Sequence, residues 1–380
     1  MPEAGSGRPR GRDLLDVYTR DVTGKDLTRV FTREARDAYQ AFAGAIDEND
    51  LAGVRGPKRV IRRVRAFLIA FGLKLSPARR VLFGVALLCA VIGFLRYNQG
   101  IEISMPPVRT LVIPGAWPMF WAIVLLNLLV VLEVADRLSL KNDLEVARSI
   151  QLAMLPAGTV ELPGVEVHGM SRPANTVGGD FYDVRPLSNG RLLIAVGDVA
   201  GKGSPAALLM ALFLAMERVL LDDLQDLVPL TTRLNGQIVR QAPGTRFITL
   251  FMGAYDPATG RLEYVNAGHP PGLLRRSDGT IERLQDGGVA LGMFEGSQYT
   301  SAAVTLEPGD LLAAYSDGIT EAEHPERGFF DEAGLLKALA DARALPAEDV
   351  CRSVFGAVRA HTDEGKLGDD LTILVLRRQA

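Results

Sequence analysis

The chain has 380 residues, a length that predicts two or three structural units rather than a single domain. Its formal charge of -3, from 42 basic and 45 acidic residues, excludes a strongly basic nucleic-acid-binding protein, and no nucleic-acid partner is expected. Hydrophobic residues make up 48% and the mean hydropathy is +0.14, which is high for a wholly soluble protein. The two cysteines, Cys89 and Cys351, form neither a disulfide framework nor a zinc pattern, which indicates a reducing compartment.

The N-terminal segment, residues 1–65, is polar and charged and has no cleavable signal pattern. Its first residues have the composition of a disordered chain. From Asp13 to Ala45 the apolar residues follow a weak helical period. A partly helical cytoplasmic segment without chemistry of its own is expected here.

Residues 66–133 are predicted to be a membrane region with two spans, at about residues 79–96 and 111–132. Both stretches are apolar and uncharged between their ends, and a membrane-spanning helix needs about 20 such residues. Pro114 and Pro118 are expected to start or kink the second span. The alternative, a buried helical hairpin of a soluble domain, does not require so long an uncharged stretch.

Basic residues before the first span set the expected orientation in the membrane. They outnumber those of the connecting loop, which has only Arg96 and Arg109, so the positive-inside rule places the N-terminus in the cytoplasm. Two spans then return the chain to the cytoplasm, which predicts a multi-pass protein of the bacterial inner membrane with a cytoplasmic C-terminal domain. The basic residues before the first span are Lys58, Arg59, Arg62, Arg63, Arg65, Lys74, Arg79 and Arg80.

Residues 134–156 are predicted to form a linker helix that ends at Pro156. Its apolar residues recur every three or four positions, which forms a stripe suited to a partner helix and predicts a homodimer. A helix packed on its own domain is the alternative. The stripe consists of Leu140, Leu144, Ala147, Ile150 or Gln151, and Met154.

Residues 157–380 alternate short β-like runs with helices and predict an α+β domain of antiparallel sheets covered by helices. The expected strands are Val165–Met170, Leu192–Val196, Phe247–Tyr255, Arg261–Asn266, Gly272–Arg275, Ala302–Leu306, Leu311–Tyr315 and Leu371–Leu376. The expected helices are Ser204–Leu221, Leu227–Arg240, Glu332–Ala342 and Ala347–His361.

Aspartates recur at the ends of these apolar strands. Asp180 follows two glycines, Asp198 and Asp317 each end a strand, and Asp369 and Asp370 begin the last one. Each alone is typical of a turn. Together, on strands that can be neighbours, they predict a site for hard divalent cations, which prefer oxygen ligands.

Five ordered motifs, TVGGDFYD, GDVAGKGSPAALLM, NAGHPP, YSDGITEA and GDDLTILVL, resemble the SpoIIE/RsbU-type branch of the PPM serine/threonine phosphatases, which are protein phosphatase 2C-like. The resemblance covers about residues 147–378, because ARSIQLAMLP also resembles the helix that precedes the domain in that family. It implies an α+β fold, a PPM-type β-sandwich of two antiparallel sheets flanked by helices. In this chain two transmembrane helices and a linker helix would precede that sandwich.

The resemblance also implies two manganese or magnesium ions and assigns their ligands. Asp198 resembles the carboxylate that bridges both ions, and the backbone carbonyl of Val199 is a further ligand. Asp317 and Asp369 resemble the ligands of the second ion, while Asp180 resembles an outer carboxylate. Asp198 and Asp180 are thus the expected catalytic residues.

Some assignments stay open. Asp370 is an alternative ligand beside Asp369. Arg172 and Lys202 are candidate contacts for substrate phosphate, with ordinary surface roles as the alternative. His269 is a candidate general acid or substrate contact, with a hydrogen-bonded histidine that holds a turn as the stronger alternative.

The implied activity is hydrolysis of phosphoserine or phosphothreonine on a regulatory protein, typically a STAS-type anti-sigma factor antagonist, in bacterial signalling. Movement of the linker helix is expected to control the metal site. One alternative is a catalytically silent membrane module that binds a partner, which intact ligands disfavour. Another is a two-metal phosphohydrolase acting on a non-protein phosphate such as a nucleotide, which the missing P-loop disfavours.

Overall fold

The computed structural model describes residues 68–69, 71–73, 75–96, 101–103, 111–113, 116–242, 246–363 and 367–379. The predicted N-terminal segment, residues 1–65, lies outside the described residues, as does most of the loop between the two predicted spans. The chain divides into two compact units, Met1–Leu138 and Ser139–Ala380. The division falls within one helix, which runs from Ala116 to Met154.

Two long helices and a short hairpin make up most of the described part of the first unit. These elements are α1 (Pro77–Arg96), β1 (Ile101–Ile103), β2 (Leu111–Ile113), antiparallel to β1, and the start of α2 (Ala116–Met154). The stretch predicted to span the membrane from residue 111 therefore begins as a strand, and its helix begins at Ala116. Pro118 lies in the first turn of α2, where a proline breaks no helical hydrogen bond.

Three helices in the described part of the chain are long and apolar enough to cross a membrane: α1, α2 and Ser204–Leu221. In the most apolar windows of α1 and α2 only 11% of the residues are buried inside the protein, against 39% for Ser204–Leu221. Ser204–Leu221 packs seven buried side chains into its own domain. Apolarity therefore has a folding role in that helix, whereas α1 and α2 leave their apolar side chains exposed.

The second unit is an α+β domain built on two sheets, as the sequence predicts. The strands are β3 (Val160–Leu162), β4 (Val165–Arg172), β5 (Phe181–Pro186), β6 (Leu192–Val199), β7 (Ile248–Tyr255), β8 (Arg261–Ala267), β9 (Gly272–Arg275), β10 (Ile281–Leu284), β11 (Gly287–Gly288), β12 (Ala302–Thr305), β13 (Leu311–Tyr315), β14 (Glu323–His324), β15 (Gly328–Phe329) and β16 (Leu371–Arg378). One six-stranded sheet has the order β10-β9-β13-β16-β4-β3, and the other has the order β11-β8-β7-β6-β5 with β12 paired to β8. The pairs are antiparallel except β11 with β8. The helices are α3 (Ser204–Leu221), α4 (Leu227–Gln241), α5 (Asp317–Thr320), α6 (Asp331–Asp341) and α7 (Ala347–His361).

Three apolar cores hold the domain together in four layers. One core lies between the two sheets and contains side chains from both. A second joins α3 and α4 to the sheet of β5 to β8, and a third joins α6 and α7 to the sheet of β13 and β16. Because the central strands are covered on both faces, β6 is a continuous apolar run. Helices outside the sheets instead show a one-sided period, as in Val350, Val354 and Val358 of α7.

Candidate metal centre

The ends of β5 and β6 bring Asp180 and Asp198 together. Phe181 pairs with Gly197 across these antiparallel strands, so Asp180, one residue earlier, lies across from Asp198. The preceding loop approaches closely, because a Cβ atom on Gly179 would lie 2.9 Å from the Val199 carbonyl oxygen and 3.2 Å from Asp198 Oδ1. Three of the predicted ligands therefore meet at one end of this sheet.

The second sheet supplies the other two predicted ligands at the same end. Asp317 follows β13, and a Cβ atom on the next residue, Gly318, would lie 3.3 Å from Asp369 Cβ. Lys202, in the loop after β6, reaches across to Asp369 with an Nζ–Oδ2 distance of 2.6 Å. It also donates a hydrogen bond to the Gly368 carbonyl at 2.8 Å. The structure thus gathers the predicted carboxylates from four chain positions.

These carboxylates raise one another's pKa values. Burial, then the charge of Asp317, raises the pKa of Asp198 to about 6. Burial, then the charge of Asp198, raises the pKa of Asp180 well above its ordinary value. Burial, then the charges of Glu321 and Asp369, also raises the pKa of Asp317. Without a cation, ionisation of all these carboxylates at once is therefore unfavourable.

The donor set fits hard divalent cations. All side-chain donors are carboxylate oxygens, and Asp180 Oδ2 is buried without a hydrogen-bond partner. Among the described residues, no three acidic, histidine or cysteine side chains form a ready-made cation site. Asp198, Asp180, Asp317, Asp369 and the Val199 carbonyl are the groups placed to hold one.

Asp370 and Asp369 have different hydrogen-bond partners. Its Oδ1 accepts a hydrogen bond from the Ala174 amide and its Oδ2 from the Gly179 amide, both at 2.8 Å. The fit is close, because a Cβ atom on Gly178 would lie 2.1 Å from Asp370 Oδ2. Both oxygens therefore hold the loop that carries Asp180, which favours Asp369 as the predicted ligand.

Gln151, near the end of α2, holds the same loop from the other side. Its amide donates to the Gly178 carbonyl at 2.7 Å and accepts from the Gly178 amide at 3.2 Å. Gln151 is 6% exposed and Ile150 is 60% exposed, so Gln151 is the residue of the stripe that faces the domain. The helix is predicted from the sequence, but the contact between Gln151 and Gly178 is not. A polar residue inside an apolar stripe is the one local sign of that contact.

Asp183 lies three residues after Asp180 and faces a different environment. It is fully buried, and its Oδ2 accepts from Arg185 Nε at 2.8 Å and Arg218 Nε at 3.1 Å. Arg218 also donates to the Met154 carbonyl. The neighbouring Glu217 is buried with both carboxylate oxygens unpartnered, and burial followed by the charge of Asp183 raises its pKa well above the ordinary value. This cluster joins β5, α3 and the end of α2.

The three candidate substrate contacts have different positions. Arg172 is exposed at the end of β4, and Lys202 is occupied by Asp369. His269 is buried and shares a hydrogen bond through Nδ1 with Thr249 Oγ1 at 2.9 Å. Burial lowers the pKa of His269 to about 3, so the ring is neutral near pH 7 and carries no proton for general-acid catalysis.

Comparisons with known proteins identify a family and related structures. The model of the family described as Stage II sporulation protein E (SpoIIE) matches residues 188–379. Protein IcfG of Synechocystis is 30% identical over 277 residues, which are 66% of this chain and 43% of IcfG. Phosphoserine phosphatase RsbU of Bacillus subtilis is 29% identical over 246 residues, 63% of this chain and 71% of RsbU. This chain thus matches less than half the length of IcfG.

Solved structures show the same fold. The SiaA-PP2C domain of Pseudomonas aeruginosa aligns with a TM-score of 0.56 at 22% identity, covering 64% of this chain and 98% of that domain. The RsbU and RsbW domains of a Mycobacterium tuberculosis protein align with a TM-score of 0.50 at 28% identity, covering 57% of this chain and 60% of theirs. The family match over half the chain, the sandwich and the gathered aspartates together place this chain in the SpoIIE family, among the SpoIIE/RsbU-type PPM phosphatases.

Proposed function

We propose that this chain is a metal-dependent protein serine/threonine phosphatase that hydrolyses phosphoserine or phosphothreonine on a regulatory protein. The observation that carries the proposal is the meeting of four aspartates from two sheets, with a buried Asp180 oxygen that has no partner. Membership of the SpoIIE family supports the same reaction.

Two divalent cations, manganese or magnesium, would be held by Asp198, the Val199 carbonyl, Asp317 and Asp369, with Asp180 as the outer carboxylate. Such a pair neutralises phosphate charge and supplies hydroxide near neutral pH. The chain's own residues position this centre: Asp370 and Gln151 fix the loop before Asp180. Lys202 provides a cationic side chain at the edge of the site.

The proposed location is the bacterial inner membrane, with α1 and the first part of α2 as two spans and the catalytic domain in the cytoplasm. The apolar side chains that α1 and α2 leave exposed support this location. The positive-inside rule supports the orientation.

The linker part of α2 is proposed to form a homodimer and to regulate the metal site. Its apolar side chains at Leu140 and Ile150 are 61% and 60% exposed, which suits a partner helix. Gln151 on the same helix holds the Gly178 peptide, so movement of the helix changes the support of Asp180. Cysteine pairs that lock different helix registers should change activity, and equal activity in every register would contradict this regulation.

A STAS-type anti-sigma factor antagonist phosphorylated on serine is the proposed substrate. The names of two relatives, phosphoserine phosphatases RsbU and RsbP of Bacillus subtilis, support a phosphoserine substrate. Pull-down with the full chain bearing Asp198→Asn, followed by mass spectrometry, tests the assignment directly.

The activity is tested with purified full-length protein, p-nitrophenyl phosphate and a serine-phosphorylated STAS-domain protein, each with manganese, magnesium or chelator. We expect turnover of both substrates only with a divalent metal, and a loss of at least about 1,000-fold in Asp198→Asn. Retained activity in that variant would contradict the two-metal assignment. Binding of the phosphoprotein without turnover would instead indicate a silent signalling module, and preference for a nucleotide would indicate a phosphohydrolase of another kind.

A further inference from the structure

A loop beside the metal centre presents exposed apolar side chains. In this segment, the 289–294 loop, Val289 is 43%, Met293 47% and Phe294 60% exposed. Leu291, between them, is fully buried. Single exposed apolar residues are common on protein surfaces, so their exposure alone indicates nothing. The hydrogen bonds that order this loop, and its position beside the predicted ligands, are better indications of a binding surface.

Buried hydrogen bonds fix the 289–294 loop. Asn235 of α4, 2% exposed, accepts from the Gly292 amide at 2.8 Å and donates to the Phe294 carbonyl at 3.1 Å. Leu291 and Ile248 exchange backbone hydrogen bonds of 2.8 and 2.9 Å. These contacts hold both ends of the Gly292–Phe294 segment, so the loop presents Met293 and Phe294 outward on an ordered backbone. An ordered apolar surface binds a partner at a smaller entropic cost than a flexible one.

The same contacts place the 289–294 loop at the rim of the metal centre. Ile248 pairs with Leu291 on one side and with Val199, a predicted ligand, on the other. Adjacent strands are about 4.8 Å apart, so the Leu291 backbone lies roughly 10 Å from that of Val199. Met293 and Phe294 follow within three residues.

Basic side chains lie between this loop and the carboxylates. A Cβ atom on Gly292 would lie 3.3 Å from the Arg246 carbonyl, and one on Gly201 would lie 3.8 Å from Arg246 Nε. Arg246 therefore bridges from the 289–294 loop to the loop of Lys202. Exposed apolar side chains and basic side chains thus lie near one another beside the predicted metal ligands.

We propose that the 289–294 loop is a docking surface for the folded protein substrate, which contacts Met293 and Phe294 through an apolar patch beside its phosphorylated residue. This inference rests on the proposed function. The apolar and basic groups beside the predicted metal ligands suit a phosphoprotein, whose dianionic phosphate must lie at the metals while its surface lies beside them. A lipid bilayer or a second copy on the same loop would restrict access of a protein substrate to the centre.

Docking of this kind affects protein substrates only. Contacts remote from the reacting phosphate contribute binding energy that a small phosphomonoester lacks. Removing two apolar contacts should therefore lower kcat/KM for a phosphoprotein by roughly 10–100-fold and leave a small substrate unaffected.

The test compares full-length wild type with a Met293→Ser, Phe294→Ser double variant, in manganese, on p-nitrophenyl phosphate and on a serine-phosphorylated STAS-domain protein. Val219→Ser is the matched control, because Val219 is 69% exposed and lies in the last turn of α3. Its position is about 22 Å along that helix from Ser204. We expect a 10–100-fold loss for the double variant on the phosphoprotein alone, and no loss for the control.

Each other result overturns a defined claim. Equal losses on both substrates would mean that the loop supports the metal centre, and no loss on either would mean that the loop does not dock the substrate. A double variant that dissociates in light-scattering measurements while keeping phosphoprotein turnover would assign the loop to self-association. If wild type hydrolyses p-nitrophenyl phosphate but not the phosphoprotein, the proposed protein substrate fails, and the docking surface fails with it.

Discussion

Asp180 and Asp183 lie three residues apart in one motif, and their surroundings differ. Asp183 is fully buried, and two arginines of the chain itself balance its charge. Asp180 is also buried, but its charged neighbours are the carboxylates Asp198 and Asp370, and one of its oxygens has no partner. A buried carboxylate with a built-in cation serves the fold, whereas one without such a cation takes up either a proton or a cation from outside. This difference distinguishes the structural Asp183 from Asp180, the proposed metal ligand, without reference to any family.

The largest stability effect is expected at Asp183. Asp183→Ala should lower the free energy of unfolding by about 2–4 kcal/mol, because it leaves Arg218 without its carboxylate partner. The effect is smaller than for a fully buried pair, since Arg185 is 39% exposed. Thermal and urea unfolding of the full chain measure it. Asp341→Ala, which removes an exposed pair with Lys337, is the control and should cost less than about 0.5 kcal/mol. If Asp183→Ala instead lowered metal affinity and left the free energy of unfolding unchanged, Asp183 would be a metal ligand rather than a structural residue.

Asp180→Asn should have the opposite effect on the metal-free protein. The amide removes a buried, unbalanced charge, so the chelator-treated variant should be more stable than wild type by about 1–3 kcal/mol. Manganese should then stabilise the variant less than it stabilises wild type. Differential scanning fluorimetry with chelator and with a manganese series measures both quantities. An Asn variant that is less stable without metal would show that Asp180 is a structural residue.

Asp370→Ala should disturb the support of Asp180 rather than a ligand. Two backbone amides, those of Ala174 and Gly179, lose their acceptor, which should cost about 2–3 kcal/mol. Hydrogen exchange of the peptide that contains these amides should accelerate, and manganese affinity should fall by roughly tenfold. Asp370→Asn, which keeps one acceptor oxygen, should give an intermediate result. If Asp370→Ala and Asp369→Ala remove metal binding equally, Asp370 is itself a ligand.

The smallest effect is expected at Glu217, and it depends on pH. Its folded pKa is raised, so its contribution to stability is complete below its ordinary pKa of 4.5 and is lost as the pH rises through the folded value. Glu217→Gln should therefore raise the melting temperature at pH 8 by roughly 2–4 °C and change it little at pH 5. Thermal melts at the two pH values measure this difference. A gain of equal size at both pH values would mean that packing, rather than protonation, causes it.

The sequence predicted the elements whose pattern is local. The apolar run of β6 and the one-sided period of α4 and α7 depend on nearby residues, and their bounds agree with the structure within a few residues. The strand-end position of the aspartates likewise predicted their meeting. No local pattern predicted that β5 is a strand, because polar residues interrupt it. The roles of Gln151, Asp183 and Asp370 depend on partners that are distant in sequence, such as Gly178 and Arg218.

The pair between Lys202 and Asp369 has a consequence for the rate at which the centre fills. Their 2.6 Å contact occupies one oxygen of Asp369. If Asp369 holds a metal ion as proposed, the ammonium group must share that carboxylate or leave it. Where it leaves, filling would exchange one positive charge for another, at a rate set by how often the contact opens. The freed ammonium group of Lys202 would then be a candidate contact for the phosphate of a substrate.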